Sequence, residues 1–259
     1  MVKRFEGIVR SLGVTIVWLI FSLSAAVPAS AADARQIVRD AINHWRGVAS
    51  TGEMTMTIHR PDWERSMSFR SWTQGTKQSL VRVTAPQKDR GNGTLMLDNS
   101  MWNYSPKVNR VVKVPSSMMG QGWMGSDFSN KDVSRADDIV DEYTHTLLET
   151  TVENGKTVYV IEAVPLETAA VVWGREVLRI REDLILLEQL YYDQDGVLIK
   201  KLEALEIGPM GGRDIALRQR MTKLDTPNEW TEMQVTSMQY DVALDGGLFT
   251  LASLSNPRD

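Results

Sequence analysis

Strict alternation of apolar and polar residues, repeated in segment after segment and broken by tight turns, is what most constrains this chain. Met54, Met56 and Ile58 alternate with Thr55, Thr57 and His59; Met67 and Phe69 with Ser66, Ser68 and Arg70; Val81 and Val83 with Arg82 and Thr84. A period of two puts the two sets on opposite sides of a pleated strand, so each segment predicts a half-buried β-strand. Residues 93–97, 101–104, 110–114, 143–152, 157–164, 175–181, 186–192, 197–207, 215–223 and 231–238 predict further strands. Pro61-Asp62, Gln74-Gly75, Asp98-Asn99, Asn154-Gly155 and Asp195-Gly196 punctuate them. The last two pairs are strong hairpin signals, because glycine accepts a positive φ. Short strands at this spacing predict a mainly β (α+β) fold, an antiparallel meander that curls into a barrel or part of one.

Two segments break the alternation with a helical period. Ile37, Val38, Ala41, Ile42 and Trp45 recur at three- and four-residue spacing, with Asp33 as N-cap and Gly47 as stop. Ser129 and Asp132 form an S-x-x-D capping box ahead of Val133, Ala136, Ile139 and Val140. Both helices are expected to pack on the sheet and cover exposed strand edges.

Residues 1–31 read as a secretory signal peptide. Lys3, Arg4 and Arg10 precede an apolar stretch from Leu12 to Val27, and Ala29-Ser30-Ala31 is an A-x-A cleavage box. The apolar stretch is shorter than the roughly 20 residues of a spanning helix. Residues 32–259 then form a single exported domain, most simply periplasmic and monomeric. The sequence contains no cysteine, which excludes disulfides, thiolate metal sites, a cysteine nucleophile and a lipidated N-terminal cysteine. Cleavage would remove three cations and one anion, taking the net charge from −4 to −6. An acidic chain with scattered charge argues against a nucleic-acid partner, whose binding needs a basic surface.

Catalytic patterns are scarce. The three histidines, His44, His59 and His145, lie in predicted helix and strand segments with no metal-ligand spacing. No G-x-S-x-G elbow is present. Asp137, Asp138, Asp141 and Glu142 lack the ligand alternation of a calcium loop and read as a solvated helix face. Gly91-Asn92-Gly93 and Gly208-Pro209-Met210-Gly211-Gly212 read as turns. We expect no enzyme activity, cofactor or metal.

What remains is an unusual concentration of soft apolar residues. The run from Met118 to Asp132 holds Met118, Met119, Trp123, Met124 and Phe128 among Gly, Ser and Asp. Met96, Trp102 and Tyr104 lie shortly upstream. A solvated loop has no reason to carry so much apolar surface. These eight residues are the candidate lipid-binding set, as the wall of an apolar cavity or as a docking surface, with ordinary core filling as the competing reading.

Met124-Gly125-Ser126-Asp127-Phe128-Ser129-Asn130-Lys131-Asp132-Val133 resembles the MGSDFS-x-x-DL signature of the LolA-like outer-membrane lipoprotein-sorting proteins. The upstream order is similar too: Pro86 to Gly93, Thr94-Leu95-Met96-Leu97, Asn99 to Pro106, Asn109-Arg110 and Val114 to Met118. Tyr143, Pro165 and the Tyr192-Asp193 to Gly196 turn continue it. The resemblance implies an incomplete antiparallel barrel of about 10–12 strands, with helices across its open concave face. It implies a carrier that holds acyl chains of lipoproteins or lipids for transfer toward the outer membrane. Such proteins often accompany inner-membrane transporters of the resistance-nodulation-division (RND) type. The alternative is therefore an interaction module or accessory subunit of such a transporter.

Overall fold

The computed structural model describes residues 31–134, 137–169 and 171–256. The segment read as a signal peptide lies outside them up to Ser30, as does Ala136 of the predicted internal helix.

The described residues open with α1 (Ala31–Arg46) and enter a 13-stranded antiparallel sheet. β1 (Ala49–Arg60), β2 (Trp63–Gln74), β3 (Gln78–Ala85), β4 (Gly93–Leu97), β5 (Ser100–Ser105) and β6 (Arg110–Lys113) run as one meander. β7 (Tyr143–Glu153), β8 (Lys156–Pro165), β9 (Arg175–Arg181), β10 (Leu186–Tyr192), β11 (Leu198–Met210), β12 (Arg213–Lys223) and β13 (Trp230–Tyr240) run as a second. The meanders join where β1 pairs antiparallel with β13. β6 and β7 are left as the two edges, so the sheet is open and barrel-like rather than closed. Nearly all the connections within each meander are short, which is why alternation and turns foretold the strands so well.

Residues 114–142 depart from this rule. They link β6 to β7, and so run from one edge of the sheet to the other. This crossover carries two 3-10 turns, Ser116–Met118 and Trp123–Gly125, then α2 (Asn130–Ser134) and α3 (Asp138–Asp141). The expected single internal helix is thus two short ones. Its capping box is formed: the Ser129 N–H donates to Asp132 Oδ2 at 2.7 Å, and the Asp132 N–H donates to Ser129 Oγ at 3.1 Å.

Of the acidic residues expected on a solvated face, Asp141 is exposed and Asp137 is half-buried, and both reach cations of α1. Asp141 pairs with Arg35 at 2.9 Å and Arg39 at 3.6 Å, and Asp137 pairs with Arg46. The 208–212 loop is also shorter than expected. β11 continues through Pro209 to Met210, leaving Gly211 and Gly212 as the turn, both at positive φ. Proline is tolerated there because β10 pairs with β11 only up to Glu203, so Pro209 needs no N–H on that side.

Each face of the sheet has its own core. On the inner face, Ala34, Val38 and Ala41 of α1 pack with Ile161, Ala163, Leu178 and Ile180. Further round, Met56, Met67, Met96, Met101 and Phe69 pack with Trp123 of the crossover. On the outer face, Leu80 and Leu95 pack with Phe249 and with Leu254 of α4 (Leu251–Ser255). Arg82 holds α4 in place by donating to the carbonyls of Ser253 and Leu254, at 2.9 and 3.3 Å.

Candidate functional site

A cavity of about 360 Å³ lies between the inner face of the sheet, α1 and the crossover. The volume falls in the range of pockets that enclose small ligands. One wall is built by Met54, Val81 and Met96 with Met233 and Met238 of β13. The facing wall is built by Leu178, Ile180, Ile185 and Leu186, with Val38 and Ile42 of α1. Strand alternation produces both walls, because residues two apart share a face.

The crossover closes one end. Within it, Gly122 and Ser129 form a β-bridge, and the Trp123 N–H donates to the Phe128 carbonyl at 2.7 Å. A side chain on Gly122 would meet the Ser126 carbonyl oxygen at 2.4 Å, so only glycine fits this close approach. Trp123 is 2% exposed, donates its indole N–H to Thr94 Oγ1 at 3.1 Å, and packs on Phe69. Asp127, whose side chain is fully buried, pins the loop to the junction of the meanders. It accepts from Arg60 at 2.9 and 3.1 Å and from the Thr231 hydroxyl at 2.7 Å. Asp132 ties the start of α2 to the other meander through Lys200 of β11, at 2.5 Å. The Lys200 ammonium also lies over the rings of Tyr191 and Trp173, at 4.6 and 5.0 Å.

Polar side chains line the same end. Glu176, 4% exposed, accepts from the Tyr143 hydroxyl at 2.8 Å and from Gln189 Nε2 at 2.5 Å. Burial pushes its carboxyl up to about 7, against the pull of these hydrogen bonds and of Lys200; Asp132 adds to the rise. Burial, reinforced by Glu176, also drives the Tyr143 hydroxyl above its ordinary range.

Of the eight residues singled out from sequence, Met96, Trp123 and Phe128 line the cavity. Met119 and Met124 are half-buried and pack against the methionine-rich core behind that wall. Met118 is 40% exposed, outside the cavity, and its carbonyl accepts from Asn130 Nδ2. Trp102 and Tyr104 lie on the outer face with Leu95 and Leu254, on the far side of the sheet from the cavity. Register explains the split. Met96 pairs with Met101 and Leu95 with Trp102, so the two aromatics share the face of Leu95. Reasoning from residue type missed Tyr143, Glu176, Gln189 and Lys200. Their signal was phase: Glu176 alternates in step with Leu178 and Ile180, and Lys200 with Leu202, which puts a charge where an apolar residue belongs.

The histidines have local partners. His145 donates to the Ile139 carbonyl at 2.8 Å, His44 to the Asp214 carbonyl at 2.7 Å, and His59 stacks on Trp230.

Residues 75–256 match a family described as an uncharacterized protein. They include the crossover and every strand from β3 onward. The chain belongs to that family, and its fold is that of the LolA-like outer-membrane lipoprotein-sorting proteins. A solved DUF1329 family protein from Desulfovibrio piger is similar over 86% of this chain and 98% of its own, at 25% identity and a TM-score of 0.79. An outer membrane lipoprotein-sorting protein domain from Vibrio parahaemolyticus matches over 87% and 100%, at 20% identity and a TM-score of 0.76. A LolA superfamily protein from Nitrosomonas europaea matches over 87% and 98%, at 20% identity and a TM-score of 0.70. The last two likenesses carry the LolA-like fold. No curated protein matches the sequence. Among the described residues, no helix of this LolA-like chain is long and apolar enough to cross a membrane.

Proposed function

We propose that this protein is a periplasmic carrier that holds the acyl chain of a lipoprotein or lipid in the inner cavity and passes it toward the outer membrane. The observation that carries this reading is the cavity itself: some 360 Å³ between an open sheet, a helix and a crossover, with mostly apolar walls of aliphatic, methionine and aromatic side chains. A chain of ten methylenes buried there gains about 8 kcal/mol before the cost of ordering it. That is enough to hold it against water, while a docked acceptor can still draw it out. The crossover and α1 serve as the helical cover of the concave face. The secretory leader read from the sequence supports export, and the relatives named for lipoprotein sorting support the cargo class.

Native mass spectrometry of the protein purified from periplasm without detergent tests the reading. An acylated adduct is expected, together with its loss in Leu186→Glu, which puts a charge into the aliphatic wall at a half-buried position. A mass that stays unshifted after addition of phospholipid and acylated peptide would overturn it. Docking to a transporter would then be the function left to test.

A further inference from the structure

The two ends of the cavity differ in chemistry. At one, the exposed Thr76 and Lys77 line the wall and mark the opening to solvent. At the other, the lining residues Glu176 and Tyr191 are buried, at 4% and 5% exposure. Strand register orders what lies between. Glu176 is level with Tyr191, Tyr191 with Lys200, Leu178 with Gln189, and Ile180 with Leu186. The wall therefore grades from polar at the closed end to aliphatic toward the opening. A cavity that held bare hydrocarbon alone would gain nothing from a carboxyl and an amide at its closed end, since burying them costs free energy.

The hydrogen-bonding inventory of that end is lopsided. Each Glu176 oxygen accepts one bond and keeps capacity for another. The Tyr143 oxygen, having donated its proton, keeps acceptor capacity too, and Gln189 Nε2 has a second N–H to give. The group that fits donates one hydrogen bond and accepts another, and carries no negative charge. Lys200 does not reverse this, because its ammonium is paired with Asp132.

We propose that Glu176, Gln189 and Tyr143 form a subsite at the closed end of the cavity for the uncharged hydroxyl of an otherwise apolar ligand, and that it rejects a carboxylate. This rests on the carrier reading above and narrows it. A lipoprotein cannot bring its polypeptide to the closed end, so the subsite selects a free lipid with a hydroxyl terminus. A carboxylate there would stand against Glu176 and Asp132, while the neighbouring cations Lys200 and Lys131 are already paired with Asp132 and Asp138. The raised carboxyl of Glu176, driven by burial against the pull of Lys200, agrees with a dry site.

Displacement of a polarity-sensitive apolar dye by tetradecanol, tetradecanoate and tetradecylamine tests this at a pH of about 7.5. Tetradecanol is expected to bind about tenfold tighter than tetradecanoate, the worth of a satisfied buried hydrogen bond against an unsatisfied one. Glu176→Gln keeps the shape and removes the charge, and should shrink that gap to about threefold, chiefly by improving tetradecanoate. Gln189→Leu should weaken tetradecanol about tenfold and leave tetradecanoate nearly unchanged, and it carries the test if Glu176→Gln fails to fold. Equal binding of alcohol and carboxylate by the wild type, or an undiminished gap in Glu176→Gln, would overturn the subsite. So would an amine that binds more tightly than the alcohol, which would mark a cation site. If the dye and all three chains fail to bind, the carrier reading itself is lost; if all bind alike, the subsite alone is.

Discussion

The two walls of the cavity solve the same problem with different side chains. The wall of the first meander and the junction is rich in methionine: Met54 and Met96 share it with Met233 and Met238, with Met56, Met67 and Met101 behind. The opposite wall differs: the core that β8 and β9 form with α1, built by Ala34, Val38, Ile161, Leu178 and Ile180, contains no buried methionine. Unbranched thioether chains adapt to irregular shapes, whereas branched side chains hold fixed rotamers. The contrast teaches that a single sheet can present a yielding surface and a rigid one to the same ligand. The proposed polar subsite sits on the rigid side, where β9 and β10 hold Glu176 and Gln189 in register.

Cutting the crossover away from the methionine side should have the largest effect. Asp127→Ala leaves Arg60 and Thr231 without their buried partner. We expect a loss of about 3–5 kcal/mol in urea unfolding. On the rigid wall, Ile180→Ala should cost about 2–5 kcal/mol, since Ile180 is fully buried and its neighbours collapse poorly. Met96→Leu on the other wall keeps volume and should cost less than about 1.5 kcal/mol. Similar losses for the two would erase the distinction between the walls.

Glu176 sharpens the comparison through pH. Its folded carboxyl, at about 7, lies above the ordinary 4.5, so the folded state binds the proton more tightly than the unfolded one. Stability from this group is full below about pH 4.5 and is lost as pH rises through about 7, a change on the order of 3 kcal/mol. Glu176→Gln should flatten that decline, with the variant gaining on the wild type from about pH 5 to pH 8 in thermal melts. A difference that does not change with pH would show that the group is not buried as described. Smallest of all, Ser129→Ala removes half of the capping box and should cost about 1 kcal/mol. The expected loss is local, seen as faster amide exchange in α2 rather than in the sheet.

The strands were legible because local alternation and turn chemistry agree with the final pairing. Residues 93–97, 175–181 and 186–192 were bounded as the structure has them. The order of the strands was not legible, because the β1–β13 pairing joins residues 171 to 190 positions apart and leaves no local mark. The site was partly legible. The Met/Trp run was recognised as special, and Trp123 and Phe128 do reach the cavity, yet Trp102 was chosen by type when its parity relative to Met101 placed it outside. The polar cluster was missed because two carboxyl-bearing residues and a lysine from three elements meet only after folding.

The pairing of β1 with β13 has a consequence for how the molecule is made. Each meander is built from neighbouring hairpins and can assemble as soon as its own residues have emerged. The junction between them must wait for the last strand of the chain. Until then β1 shows an unpaired edge with alternating methionine and isoleucine, the kind of edge that recruits strands from other chains. Closure of this long loop is the slow, entropically costly step of folding. The interval between synthesis of the first meander and arrival of the last strand is therefore when this edge is most open to aggregation.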